Sequence, residues 1–229
     1  MRYARQTAFL GKQAQKELSK KTVAIVGLGA LGTNTSSLLA RAGIHLKLID
    51  FDKIDLTNLQ RQSLYDEKDI NKQKAVISKN KLKQINSEIS ITFFNERLND
   101  SNLKLLDSDL VIDCTDNLTT RLLINDYCYN KIPWIHTAAI RETGVIFNIL
   151  KNKPCLRCIY KKNIDLERCE EFGVLNSIVS LTSSIAVTQA IKILLNKNPE
   201  KNLIRFNIWS NNLEKIKVSK TCEKCQKSL

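Results

Sequence analysis

The chain has 229 residues, 43% of them hydrophobic, with only seven Gly and three Pro; this excludes a disordered or fibrous chain and leaves material for one substantial core. A formal net charge of +13 is spread over helical stretches such as 72–83 instead of one basic run, which leaves open a solvated surface, an acidic protein or nucleotide partner, and RNA. Nothing near Met1 has the layout of a signal peptide and no apolar run approaches the roughly 20 residues of a membrane helix, so the expected setting is the cytoplasm, with no membrane partner.

In chain order, the first clear element is the β-branched apolar run 22–26, which ends at Gly27. Residues 31–42 carry helical spacing and stop at Gly43, and 46–49 form a second strand. Strand, glycine turn, helix and strand within about 30 residues make a βαβ unit, hence a parallel sheet with a right-handed crossover. Downstream, 72–85 has helical apolar spacing, 89–94 alternates as a strand, 110–113 is a short buried strand and 118–129 is helical again. After Pro133 the pattern gives strands at 134–136 and 145–150, a long apolar helix over 176–195, and a hairpin of strands 203–208 and 213–218 turning across 210–212. The expected class is α/β: a Rossmann-like, doubly wound, mainly parallel sheet extended by late strands.

Gly27-Leu28-Gly29-Ala30-Leu31-Gly32 lies between a strand and a helix, where Gly27, Gly29 and Gly32 let the backbone approach a phosphate at the helix N-terminus. Asp50, about 20 positions on, suits a ribose hydroxyl of NAD or ATP alike. The residues beyond Asp50 favour ATP chemistry: Asp52, then Asn58-Leu59-Gln60-Arg61-Gln62, then Lys74, then Asp113-Cys114-Thr115-Asp116-Asn117. Attack by a carboxylate on an α-phosphate builds negative charge that Arg61 and Lys74 can stabilise while Asp116 holds magnesium. Hydride transfer needs no such set.

Taken together, these motifs resemble the ThiF/MoeB/HesA family, related to the activating enzymes of ubiquitin and of ubiquitin-like proteins. The resemblance covers nearly the whole chain: Arg2-Tyr3-Ala4-Arg5-Gln6 matches the family's RYxRQ opening, and GLGxLG, the DxD of Asp50 and Asp52, NLxRQ, Lys74, DCTDN and two CxxC pairs come after it in order. It implies one adenylation domain over 1–229, with an N-terminal dimer arm at 1–21, a nucleotide-binding core at 22–150 and a zinc-bound C-terminal region at 151–229. Asp50 would bind the ribose, Asn58, Arg61 and Lys74 the phosphates and Asp116 the magnesium, with Asp52 and Gln62 beside the nucleotide. Arg5 looks like the family's arginine finger, which reaches the ATP of the partner subunit and so implies a homodimer with two composite sites; Arg121 would help organise the site. The reaction implied is adenylation of the C-terminal Gly-Gly carboxylate of a small ubiquitin-like sulfur-carrier protein, with sulfur delivered by a separate donor protein.

Of seven cysteines, Cys155 with Cys158 and Cys222 with Cys225 form two distant CxxC pairs. Four thiolates complete a closed, structural zinc site that would tether the C-terminal tail beside the end of the sheet, and the family places its zinc ligands here; two reduced or redox-active pairs are the alternative. Cys169 precedes Gly173-Val174, where some relatives carry a reactive cysteine, and is a candidate sulfur-transfer nucleophile; Glu167, Glu170 and Glu171 disfavour its thiolate while Arg168 favours it. Cys114 and Cys128 read as core residues. His136 reads as a core or hydrogen-bonding residue, and with His45 as the one other histidine there is little material for histidine catalysis. After Cys169 the chain departs from the family pattern, with Ser177, Ser180, Ser183, Ala186 and Gln189 on the helix 176–195 keeping small residues for close packing. The rival readings are adenylation of a peptide terminus or a tRNA base carboxylate, an NAD-dependent oxidoreductase, and a non-catalytic binding module.

Overall fold

Apolar residues on both sides of successive strands demand a sheet covered on two faces. In the computed structural model, which describes residues 2–160 and 173–226, the elements run α1 (Ala4–Leu10), α2 (Lys12–Leu18), β1 (Thr22–Val26), α3 (Ala30–Ala42), β2 (His45–Ile49), α4 (Lys74–Ile85), β3 (Ile91–Phe94), β4 (Leu110–Asp113), α5 (Leu118–Cys128), β5 (Trp134–Ile140), β6 (Thr143–Ile149), α6 (Asn176–Leu194), β7 (Leu203–Asn207), β8 (Asn212–Ile216) and α7 (Glu223–Gln226). The strand order is β3-β2-β1-β4-β5-β6-β7-β8. Pairings from β3 through β5 are parallel, and those from β5 through β8 are antiparallel. The expected Rossmann-like half with late added strands is therefore what forms.

Alternation within each strand sends residues to two cores. Val23 and Ile25 of β1 join α3, α4 and α6 residues such as Leu39, Leu82, Ala186 and Ala190 on one face. Ala24 and Val26 face the other side, with Trp134, Phe147, Ile124 and three of the paired cysteines, Cys155, Cys158 and Cys225. The tetra-cysteine region thus covers a face of the sheet and does more than tether a tail at the sheet's end.

Three expectations change. First, no amphipathic signal marks 4–18, yet α1 and α2 form; only Gln15 and Leu18 of the two are buried. Second, β5 and β6 are longer than 134–136 and 145–150, because residues beyond the last β4 partner pair with each other, from Thr137↔Ile146 to Ile140↔Thr143. Third, α6 does approach membrane-helix composition, with mean hydropathy 1.4 over its apolar window, half of it buried inside the protein. It is a core helix, and its inward face includes Thr182, Ser183 and Gln189. Ser183 donates to Leu31 O at 3.2 Å, so the small-residue packing expected of Ser183 and Ala186 is present, whereas Ser177 and Ser180 are exposed. Among the described residues, five of the six non-glycine positions with positive φ are Asn (Asn71, Asn130, Asn152, Asn196, Asn211), the sixth being Arg141.

Candidate active site and metal centre

The order of the strands puts the switch point between β1 and β4, and ligands of open α/β sheets bind beyond the strand C-termini there. Gly27 follows β1 at φ +89°, and a Cβ on it would stand 2.8 Å from the carbonyl oxygen of Cys114, which follows β4. A Cβ on Gly32 would stand 1.9 Å from Gly27 O. Both positions therefore require glycine, and the loop is pressed against the 114–115 backbone with the N-terminus of α3 directed outward. A Cβ on Gly29 would make only an ordinary van der Waals contact, with Gln62 Nε2 at 3.7 Å.

Asp50, buried at the end of β2, accepts Leu28 N–H at 2.6 Å through Oδ2 and Asp52 N–H at 2.7 Å through Oδ1. Burial raises its carboxyl above the ordinary value against those amide bonds and the nearby Lys74 charge. Each oxygen keeps acceptor capacity for hydroxyl groups. Lys74, buried at the start of α4, lies 3.2 Å from Asp52 Oδ2, so one cation is held at the mouth by the second Asp of the DxD. Asn58 closes a capping box with Asp55. Arg61 Nη1 bonds Thr57 O at 3.0 Å on the same turn, and Gln62 is buried with Oε1 unpartnered, a polar atom left for a ligand. The structure thus gathers Gly27, Gly29, Gly32, Asp50, Asp52, Gln62 and Lys74 at the C-terminal end of β1 and β2, with Asn58 and Arg61 on the turn that leads into Gln62.

The 113–117 loop forms the opposite wall. Asp113 Oδ1 accepts Thr115 N–H at 3.0 Å and Thr115 Oγ1–H at 2.6 Å, and Arg121 Nη2 donates to Thr115 O at 2.6 Å. Asp116 is exposed beyond this pinned backbone, and Asn117 Nδ2 lies 3.4 Å from its Oδ1. An exposed carboxylate on a fixed loop beside a phosphate-binding turn fits a hard divalent cation such as magnesium. Arg121 supports the loop, as expected.

Arg5 is not brought to this site. Its helix packs at the far end of α3, where Gln6 Nε2 bonds Ala42 O at 3.1 Å, and the 13 residues of α3 put it roughly 20 Å from the glycine loop. Arg5 is exposed there, and Phe9 on the same helix is 88% exposed.

Two supports carried no motif. Tyr65 Oη, whose phenol burial pushes up, donates to Leu28 O at 2.9 Å and meets Ser78 Oγ at 2.9 Å. It fixes the glycine loop from below, and a pair separated by a turn and a helix start leaves no spacing signal. The other is His136, fully buried, 2.7 Å from Asp113 Oδ2.

The Sγ atoms of Cys155, Cys158, Cys222 and Cys225 all lie within 4.8 Å of one another. Three pairs stand at 3.6 Å, close to the ~3.8 Å between sulfurs on a tetrahedron with ~2.3 Å Zn–S bonds, and far from a disulfide length. Burial raises the Cys158 thiol, but backbone bonds at Cys222, Thr221 and Cys155 outweigh it and bring the thiol down to about 7. The set fits a closed zinc site. Cys225→Ser is expected to reduce bound zinc below one per chain and to lower Tm by about 10 °C, since losing ~3 kcal/mol of a ~10–16 kcal/mol binding energy shifts a chain of this size by that order; a zinc-free protein with unchanged Tm would refute the assignment. Cys114 and Cys128 are buried, and burial lifts each thiol to about 12, so both are core residues as expected. Cys169 lies outside the described residues.

The sequence matches the ThiF family over residues 3–227. It is 32% identical over 228 residues to the sulfur carrier protein ThiS adenylyltransferase of Bacillus subtilis, covering 95% of this chain and 68% of that protein. It is 34% identical over 238 residues to the molybdopterin-synthase adenylyltransferase of Escherichia coli, covering 98% and 96%. Among solved structures, E. coli MccB with MccA-N7isoASN superposes with a TM-score of 0.86 at 25% identity, covering 98% of this chain and 75% of that one. The glycine loop at the β1–β4 switch point, the DxD and DCTDN walls and the tetra-cysteine cluster therefore belong to a member of the ThiF family of adenylyltransferases.

Proposed function

We propose that the chain adenylates the C-terminal Gly-Gly carboxylate of a small ubiquitin-like sulfur-carrier protein, releasing pyrophosphate and preparing the carrier for thiocarboxylate formation with sulfur from a separate donor. What carries the reading is the convergence of the glycine loop, Asp50, Lys74 and the 113–117 loop on one end of the sheet, in a chain whose relatives are named for ThiS and molybdopterin-synthase adenylation.

In this reading the ATP triphosphate lies over the N-terminus of α3, where amides of the glycine loop face it. Asp50 takes the ribose hydroxyls, and Gln62 Oε1 gains the partner it lacks. Asn58, Arg61 and Lys74 hold the phosphates, so that charge building on the α-phosphate during carboxylate attack meets fixed cations. Magnesium bound at Asp116 would neutralise phosphate charge. The carrier's carboxylate needs no base, so positioning supplies most of the rate. Cys169 is the candidate nucleophile for the later sulfur transfer.

The position of Arg5 supports a homodimer. Roughly 20 Å from its own glycine loop, it can act as an arginine finger only on a second subunit, and the exposed Phe9 beside it is an apolar anchor for that contact.

The test is substrate-dependent exchange of labelled pyrophosphate into ATP. Gly-Gly carrier proteins, peptides and tRNA are compared side by side, and exchange is expected with the carrier. A peptide terminus is the second reading, and exchange with peptide alone would establish it; MccB, solved with MccA-N7isoASN, shares the fold at a TM-score of 0.86. No exchange with any of them would overturn adenylation.

A further inference from the structure

A buried polar chain runs beneath the 113–117 loop without entering the nucleotide cleft. His136 on β5 is the register partner of Asp113 on β4, and both are 0% exposed. Its Nδ1 lies 2.7 Å from Asp113 Oδ2, and its Nε2 lies 3.1 Å from Tyr160 Oη. Tyr160 stands two positions beyond Cys158, a residue of the four-thiol cluster. We propose that His136 is a positioning residue for the magnesium-binding loop: by holding Asp113 it orients Thr115 and thereby Asp116. The inference rests on the adenylation reading above, because it takes Asp116 as the magnesium ligand.

A buried imidazole is costly unless both nitrogens are satisfied, and a leucine would fill the same space without that demand. The polar residue therefore specifies an orientation. Asp113 has one oxygen on His136 and the other on Thr115. Arg121 closes the circuit, with Nε 3.6 Å from Asp113 Oδ2 and Nη2 on Thr115 O. Thr115, the residue before Asp116, is thus clamped at its own N–H by Asp113 and at its carbonyl by Arg121. If Asp113 turns, both clamps shift. Burial works against the Asp113 charge, but the bond from His136 and the Arg121 charge hold its carboxyl below the usual range; burial lowers His136. An ionised Asp113 beside a neutral imidazole fixes the tautomer: Nδ1–H donates to Asp113, and Nε2 accepts Tyr160 Oη–H. Tyr160 in turn anchors the ring to the segment held by the cysteine cluster.

Two variants separate the two ends of the ring. In His136→Asn the amide nitrogen falls near the place of Nδ1 and can keep the Asp113 bond; in His136→Gln it falls near Nε2 and cannot. The expected result is that His136→Gln raises the Mg²⁺ concentration for half-maximal pyrophosphate exchange about 10–100-fold, the range typical when the partner of a metal ligand is lost, while His136→Asn stays within about threefold of wild type. Both variants should keep the wild-type zinc content. If His136→Gln does not fold, His136→Leu carries the test: it removes the Asp113 bond without introducing a buried donor, and the same rise of about 10–100-fold is expected, with an unchanged KM for ATP. Nitrogen-15 NMR of the zinc-loaded, magnesium-free wild type gives an independent readout, because the chain has two histidines and only the buried one should show a neutral Nδ1–H ring. An Nε2–H ring, equal Mg²⁺ dependence in all proteins, or equal loss of kcat in both His136 variants at unchanged Mg²⁺ dependence would overturn the proposal. A wild type inactive with every substrate would sink the adenylation reading instead, and the NMR tautomer would still decide the hydrogen-bond chain.

Discussion

Asp116→Ala is expected to lower carrier-dependent pyrophosphate exchange by about 10²–10³-fold, the scale of removing one charge-stabilising group from an active site, with no measurable change in Tm. The two halves of that expectation have separate grounds. Asp116 is exposed, and its described side-chain contact is the 3.4 Å approach of Asn117 Nδ2, so the fold loses almost nothing; exposed substitutions of this kind usually stay within about ±0.5 kcal/mol. Loss of the carboxylate, however, removes the anion proposed to hold magnesium at the pinned loop. Asp116→Asn should fall nearly as far, because it keeps the shape and removes the charge. Full exchange activity in either variant would end the magnesium assignment, while activity lost together with Tm would move Asp116 from chemistry to structure.

Arg5→Ala should reduce exchange by a similar factor, about 10²–10³, and the loss should be reversible by mixing. An Arg5→Ala subunit has an intact nucleotide site but an ineffective finger; an Asp116→Ala subunit has the reverse. In a twofold dimer with fingers working across the interface, each heterodimer contains one site free of both lesions, so equal mixing of the two inactive proteins should restore about a quarter of wild-type activity. Recovery is measured after subunit exchange, with dimer formation followed by sedimentation. No recovery despite mixed dimers would mean that Arg5 does not act in trans, and a monomeric active enzyme would remove the composite site altogether. The same experiment tests the role of Phe9: Phe9→Ser should weaken the dimer without touching the nucleotide cleft.

Much of this arrangement is legible in the sequence, for identifiable reasons. Strands β1 and β4 fall where expected because buried parallel strands are continuous apolar runs, and α3 ends as expected because Gly43 supplies the left-handed C-cap. The site motifs are legible because a phosphate-binding turn needs glycine where Cβ atoms would collide with backbone, as at Gly27 and Gly32. The missed parts share a different physics. α1 and α2 bury too few residues to display a period. The far half of β5 is set by pairing with β6, so Ala138 and Ala139 form strand without strand-like composition. Cysteine spacing announces four ligands but not the sheet face they cover. The link from His136 to Asp113 depends on β4 and β5 being adjacent and in register, a relation between segments that neither segment encodes alone.

The corners of the chain have a consequence for its denatured ensemble. Asn71, Asn130, Asn152, Asn196 and Asn211 bend the backbone through the left-handed region, where glycine would turn more freely. Each accepts about 1 kcal/mol of local conformational cost in the native turn, yet each also narrows the conformations open to the chain once it unfolds, an entropic gain of similar size. The two effects nearly cancel in equilibrium stability, but an unfolded asparagine favours negative φ, so each of these five bends is imposed as the chain folds instead of being sampled freely beforehand.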